Sequence, residues 1–223
     1  MTLPIGPVAG ICAGAYLIGA IPFGYLVARA KGVNIRAHGS GNIGATNVGR
    51  VLGRGWGVLV LALDAGKCFA VMLLARQAAA RLGASHPDPA AMWLLFGAGA
   101  SAVVGSIAPI YLGFRGGKAV AASVGMLLGV WPDLAIPALG CLAIWIGVVA
   151  ATRYVSAGSL IAAAAHPLFV MAYLRANDRS LAPSLPLLLL SGFVVAVIWV
   201  RHRANLGRLL SGTEKKIGGR GEP

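Results

Sequence analysis

Four short polar stretches interrupt an otherwise apolar chain, and each carries groups able to handle phosphate. The first reads His38-Gly39-Ser40-Gly41-Asn42-Ile43-Gly44-Ala45-Thr46-Asn47-Val48-Gly49-Arg50. Glycines alternating with Ser, Asn and Thr free the backbone to turn its N–H groups toward an anion, and Arg50 offers a planar fork that grips phosphate through two bonds. An ordinary interfacial turn needs Gly and Asn, but not this density of hydroxyl and amide groups. The Gly-Lys-Ser/Thr ending of a Walker A loop is missing.

The second stretch, Phe114-Arg115-Gly116-Gly117-Lys118, directly precedes an apolar run. Two glycines and a lysine at a helix N-terminus form a phosphate cradle of free N–H groups, a positive dipole end and a point charge. Taken alone, Arg115 and Lys118 serve equally well as topology anchors. The third feature is Asp64 and Lys67, one helical turn apart inside an apolar run. Ionisable groups there are costly, so they read either as part of a site or as an i, i+3 pair that packs into the bundle. The fourth is Arg201-His202-Arg203-Ala204-Asn205, followed by Arg208 and Glu214. On a continuing helix, His202 and Asn205 share one face and address one site, although a His beside arginines also suits a snorkelling interfacial position. No cluster of Cys, His and carboxylates has metal-ligand spacing, so neither a metal nor a cofactor is expected.

The elements that position these groups are transmembrane helices. The chain has 223 residues, 58% hydrophobic and 11% charged, with a mean hydropathy of +0.80. A soluble domain carries about 25% charge, so the apolar excess must face lipid. The 32 glycines point the same way, because small residues let membrane helices approach closely. The expectation is an all-α, polytopic membrane bundle, one domain over 1–223, with about seven spans at 5–28, 56–76, 91–112, 118–131, 134–151, 157–174 and 185–201. The first run lacks a basic leader and is too long for a cleavable signal, which predicts a retained helix. Cys12, Cys68 and Cys141 are scattered through apolar runs as spectator thiols.

The net charge of +13 does not indicate nucleic acid, because the basic residues punctuate apolar runs without forming an aromatic-interleaved patch. They are a topology signal. Arg29, Lys31, Arg36, Arg50, Arg54, Arg115, Lys118, Arg153 and the tail group Arg201, Arg203, Arg208, Lys215, Lys216 and Arg220 fall on one side. Only Arg76, Arg81, Arg175 and Arg179 fall on the other. The positive-inside rule then puts the N-terminus outside, the C-terminus in the cytoplasm and the polar loops on the cytoplasmic face.

In order along the chain, these segments resemble the bacterial membrane acyl-phosphate:glycerol-3-phosphate acyltransferase family. The resemblance rests on Ile21-Pro22-Phe23-Gly24-Tyr25, Gly39 through Arg50, Leu63-Asp64 with Lys67, Phe114 to Lys118, Arg153-Tyr154-Val155-Ser156, and His202-Arg203 with Asn205 to Glu214. It implies a seven-span enzyme of the bacterial inner membrane whose substrates are acyl phosphate and glycerol 3-phosphate and whose product is lysophosphatidate. It further implies that Ser40, Arg50, Lys118, His202 and Asn205 are essential. Thr46 and Ser156 would line the site, with Gly39, Gly41, Asn42, Asn47, Lys67, Arg115, Gly116 and Gly117 on the substrate side. Asp64 and Glu214 would be structural.

Three positions depart from the family pattern. Ser106 stands where the family usually has His, Ala119 where it has the glycine after the loop lysine, and Cys68 where it has the glycine after the intramembrane lysine. The added methyl at Ala119 is expected to crowd the phosphate approach, and a different polyol phosphate acceptor is the corresponding alternative. A transporter of a phosphorylated metabolite is the rival class. It predicts internal repeats and a midplane site, whereas here no repeat is evident and the polar groups gather at one edge.

Overall fold

A computed structural model describes residues 3–217 as an all-helical chain, so Arg220 of the topology count lies outside the described residues. The helices are α1 (Ile5–Ala20), α2 (Phe23–Ala30), α3 (Ala45–Leu52), α4 (Arg54–Arg81), α5 (Pro89–Ile107), α6 (Val120–Gly129), α7 (Ala135–Thr152), α8 (Val155–Ala176), α9 (Leu185–Arg201) and α10 (Arg203–Leu210). Single 3-10 turns at Ile35–Ala37 and Ile110–Leu112 flank the two polar loops. Helices close their own backbone hydrogen bonds, which is the condition for entering a medium without water.

Five segments are long and apolar enough to cross a membrane: Ile5–Ala30, Arg54–Arg81, Pro89–Leu112, Ala135–Thr152 and Val155–Ala176. A sixth is the pair α9 and α10, bent by 59°. The expected span at 118–131 contains only the ten residues of α6, about 15 Å of helix against a hydrocarbon core of about 30 Å. Its chain nonetheless runs from Lys118 at one end of the bundle to Trp131 and Asp133 at the other. There Arg76 donates to the Trp131 carbonyl at 3.0 Å. The expected continuous helix through His202 is also corrected. α9 stops at Arg201, and His202 is the hinge from which α10 departs.

Glycine sets the closest helix contacts. A Cβ on Gly19 would overlap the Ala102 carbonyl, and one on Gly105 would overlap the Tyr16 carbonyl, so α1 and α5 meet backbone to backbone. Gly125 seats α6 on α4 in the same way, against the Ala65 carbonyl. The core between these helices is filled by Met72, Leu95, Met126, Leu134, Leu174 and Leu190.

The end of the bundle remote from the polar loops is tied by one carboxylate. Asp133, 2% exposed, accepts from His86 Nε2 at 2.8 Å and from Arg179 at 2.9 Å. Three interhelical connections therefore converge on a single buried charge, which is stable there because it is paired and hydrogen-bonded.

Candidate active site

At the opposite end the first loop, the segment before α6, the start of α8 and the C-terminal segment enclose a cavity of about 400 Å³. Asn47 builds the first wall. Buried to 2% exposure, its Oδ1 accepts from the Ser40 N–H at 2.8 Å, and its Nδ2 donates to the carbonyls of His38 at 3.0 Å and Asn42 at 2.8 Å. Gly39 has φ +64, and a Cβ there would overlap Asn47 Oδ1, so the tight approach requires glycine. Asn42 Oδ1 accepts from the Gly44 N–H at 2.8 Å and launches α3. Asn42 and Asn47 thus shape the loop, and Ser40, Thr46 and Arg50 reach the cavity from it. Thr46 and Arg50 stand four residues apart on one face of α3.

The glycine segment before α6 does not work as the expected N–H cradle. The Gly116 and Gly117 N–H groups donate to the carbonyls of Ile107 and Ser106, each at 3.2 Å. Their own carbonyls accept from Arg201, at 2.9 Å for Gly116 and 3.0 Å for Gly117. Gly116 is packed against the end of α5, where a Cβ would overlap the Ser106 carbonyl, and the backbone bonds of both glycines deliver Lys118 to the cavity. Ala119 then takes a left-handed conformation, φ +57, before α6 begins. The cavity wall includes Val120, Ala121 and Ala122, the first turn of α6, whose N–H groups have no partner within their own helix. The helix N-terminus that meets the cavity therefore begins at Val120, after Lys118.

The departure at Ala119 acquires a physical meaning here. A left-handed conformation costs an L-residue about 1–2 kcal/mol, and glycine escapes that cost. Ala119→Gly is expected to stabilise the protein by about 1 kcal/mol, read as a raised Tm in detergent. An unchanged or lowered Tm would contradict the strained geometry. Of the other two departures, Ser106 Oγ donates to the Gly19 carbonyl at 3.0 Å, and Cys68 is fully buried in the helical core.

The third wall joins four side chains. Lys118 Nζ donates to Asn205 Oδ1, and Asn205 Nδ2 donates to Glu214. Glu214 also accepts from Ser156 Oγ at 2.7 Å and from Arg208 Nε at 2.7 Å. Burial pushes the Glu214 carboxyl upward, but the bonds from Asn205, Ser156 and Arg208 outweigh it and hold Glu214 below the usual carboxylate range. Burial pulls Lys118 down to about 8; Glu214 opposes that shift, while Arg208, Arg201 and Arg50 reinforce it. His202, beyond the end of α9, is lowered to about 4 by burial and then by Lys118. It is therefore a neutral imidazole at pH 7. Its Nδ1 donates to the Ile198 carbonyl at 2.8 Å, which leaves Nε2 as an acceptor on a residue that lines the cavity.

All five residues expected to be essential, Ser40, Arg50, Lys118, His202 and Asn205, line this one cavity, as do Gly39, Asn42, Thr46, Asn47, Lys67, Gly117, Ser156, Asp64 and Glu214. Gly41, Arg115 and Gly116 do not reach the wall. The Arg115 carbonyl accepts from Arg36 at 2.7 Å instead. Lys67 arrives with its ammonium already engaged by Asp64 and by the Ile21 carbonyl, each at 2.7 Å. Sequence reasoning missed the grip of Arg201 on the glycine carbonyls, because an arginine ending an apolar helix looks like a topology anchor. It also missed Trp145 and Ser159, which line the cavity from helices whose apolar character hides them.

A helical membrane bundle with a cationic, hydroxyl-rich cavity at one end defines a class of membrane protein that handles anionic, phosphorylated molecules at the membrane edge. Residues 9–212 match the family model for glycerol-3-phosphate acyltransferase, and the chain belongs to that family. It is 48% identical over 204 residues to the glycerol-3-phosphate acyltransferase of Geobacter sulfurreducens, covering 91% of this chain and 94% of the relative. Identity to that of Gloeobacter violaceus is 45% over 211 residues, covering 94% of each chain. The fold matches a crystal structure of PlsY, an integral membrane glycerol 3-phosphate acyltransferase, in its glycerol 3-phosphate form. The TM-score is 0.80 with 36% identity, covering 95% of this chain and 96% of that one. The lysophosphatidic acid form of PlsY gives a TM-score of 0.78 with 35% identity, covering 95% of each chain.

Proposed function

We propose that this chain transfers a fatty acyl group from acyl phosphate to the sn-1 hydroxyl of glycerol 3-phosphate, giving lysophosphatidate and phosphate. The observation that carries the reading is the convergence of Ser40, Arg50, Lys118, His202 and Asn205, from three distant segments, on one cavity in a chain of this family. Arg50, Lys118 and the first turn of α6 supply the positive charge and N–H groups that hold phosphate. The neutral His202 Nε2 accepts the hydrogen bond of the acceptor hydroxyl and orients it toward the acyl carbonyl. Attack forms the new ester C–O bond and breaks the bond from the acyl carbon to the phosphate oxygen. The departing phosphate takes the hydroxyl proton. Ser40 and Lys118 stabilise the charge that develops during the transfer. The donor is an activated mixed anhydride, so positioning supplies much of the acceleration.

We also read the chain as crossing the bacterial inner membrane seven times, with the N-terminus outside and the cavity facing the cytoplasm. The route from Lys118 to Asp133 through α6 supports the seventh crossing, and the basic residues around the cavity support the orientation. The deciding experiment supplies the purified protein in nanodiscs with radiolabelled glycerol 3-phosphate and palmitoyl phosphate. Labelled lysophosphatidate is the expected product. Proteoliposome uptake of glycerol 3-phosphate without that product would instead favour a transporter.

The reading also predicts a pH profile. Lys118, held near 8, is charged at neutral pH and loses its proton as pH rises through that value. kcat/KM, which reports groups of the free enzyme, is expected to fall above about pH 8, and Lys118→Arg is expected to move that limb upward. A flat profile to pH 10 would be inconsistent with a required Lys118 charge.

A further inference from the structure

Lys67 stands at the cavity wall, and its ammonium is already engaged by protein groups. Its side chain is 5% exposed, and its ammonium is shared between Asp64 Oδ1 and the Ile21 carbonyl, each at 2.7 Å. It also lies 5.7 Å above the Phe23 ring. Ile21 is where α1 ends, and Pro22, which has no N–H, separates it from α2. At this break the Ile21 carbonyl accepts from the Phe23 N–H at 3.2 Å, and Lys67 adds a shorter, charged donor at 2.7 Å that ties the break to α4.

The break matters because α2 seats the first loop. A Cβ on Gly24, in the first turn of α2, would overlap the Ile43 carbonyl, so α2 rests directly on the segment between Asn42 and Gly44. Ala28 of α2 closes the same contact with Ile35 of the loop, Val48 of α3 and Val60 of α4. A continuous set of contacts therefore runs from Lys67 through Ile21, α2 and Gly24 to the backbone that presents Ser40 and Thr46.

Resting on the acyl-transfer reading above, we propose that Lys67 is a positioning residue: it fixes the break between α1 and α2, and thereby the height of the Ser40 loop, without binding substrate phosphate. The ion pair with Asp64 keeps its charge compensated within the span, so no phosphate is needed to neutralise it.

The test uses the full chain in nanodiscs and the double variant Asp64→Asn/Lys67→Met, which removes the donor without leaving an orphaned charge. Two readouts are taken: hydrogen–deuterium exchange of residues 38–47 without substrate, and steady-state kinetics with glycerol 3-phosphate. Exchange in that loop is expected to quicken about threefold or more. kcat is expected to fall about tenfold, with KM for glycerol 3-phosphate held within about twofold. A tenfold rise in KM with unchanged exchange would make Lys67 a phosphate ligand and overturn the proposal. No change in either readout would reduce Lys67 to a partner of Asp64 and overturn it too. Wild-type turnover controls for the acyl-transfer reading. If the wild-type chain makes no lysophosphatidate, that reading fails, and the exchange readout still decides whether Lys67 holds the loop.

Discussion

Lys118→Met is expected to lower kcat/KM for glycerol 3-phosphate by about a thousandfold while leaving the protein folded. Methionine keeps the length and apolar stem of the side chain, so the packing of the glycine segment against α5 survives. What disappears is the cation held by Asn205 Oδ1 beside the first turn of α6. Removing one preorganised donor from a partly desolvated site costs about 10²–10³ in rate, and Lys118 supplies a full charge as well. Asn205 then has no ammonium to aim, while Glu214 keeps its bonds from Asn205, Ser156 and Arg208. Steady-state kinetics in nanodiscs, with a melting curve as the folding control, makes the comparison. Activity within tenfold of wild type would remove Lys118 from the reacting centre. Lys118→Arg is expected to fall between the two, because it keeps the charge and changes the reach.

The second large effect is structural. Gly125→Val is expected to destabilise the protein by about 3 kcal/mol, seen as a lost or sharply lowered Tm in detergent. Even a single Cβ at Gly125 overlaps the Ala65 carbonyl on α4, and backbone cannot yield as a flexible side-chain tip can. α6 would have to lift from α4, carrying Ala119 and Lys118 with it. Gly66→Ala is the matched control, because nothing lies within 4 Å of a Cβ at that position. It is expected to leave Tm nearly unchanged. Equal effects at Gly125 and Gly66 would mean that the α4–α6 approach does not depend on glycine.

Much of this was legible in the residues, for identifiable reasons. Apolar runs separated by basic loops prescribe a helical membrane bundle, since lipid admits few alternatives. The hydroxyl and amide density around Ser40 and Asn47 singled out the loop that lines the cavity, although the Asn47 amide is spent on the loop's own backbone. Hydrogen-bond partners were not legible. Gly116 and Gly117 look like a phosphate cradle until Ile107, Ser106 and Arg201 are seen to occupy both their N–H and carbonyl groups. The bend at His202 was hidden as well, because no proline or glycine marks it and α10 continues the helical pattern. Asp133, His86 and Arg179 are far apart in sequence, so their meeting is a product of topology and no local spacing announces it.

That meeting has a kinetic consequence. With three connections drawn onto Asp133, the far end of the bundle is fastened, and among the described residues the cavity is lined by those of the opposite end and the adjoining helix turns. Under the acyl-transfer reading proposed above, the phosphate set free in that cavity competes with the next acceptor for Arg50 and Lys118.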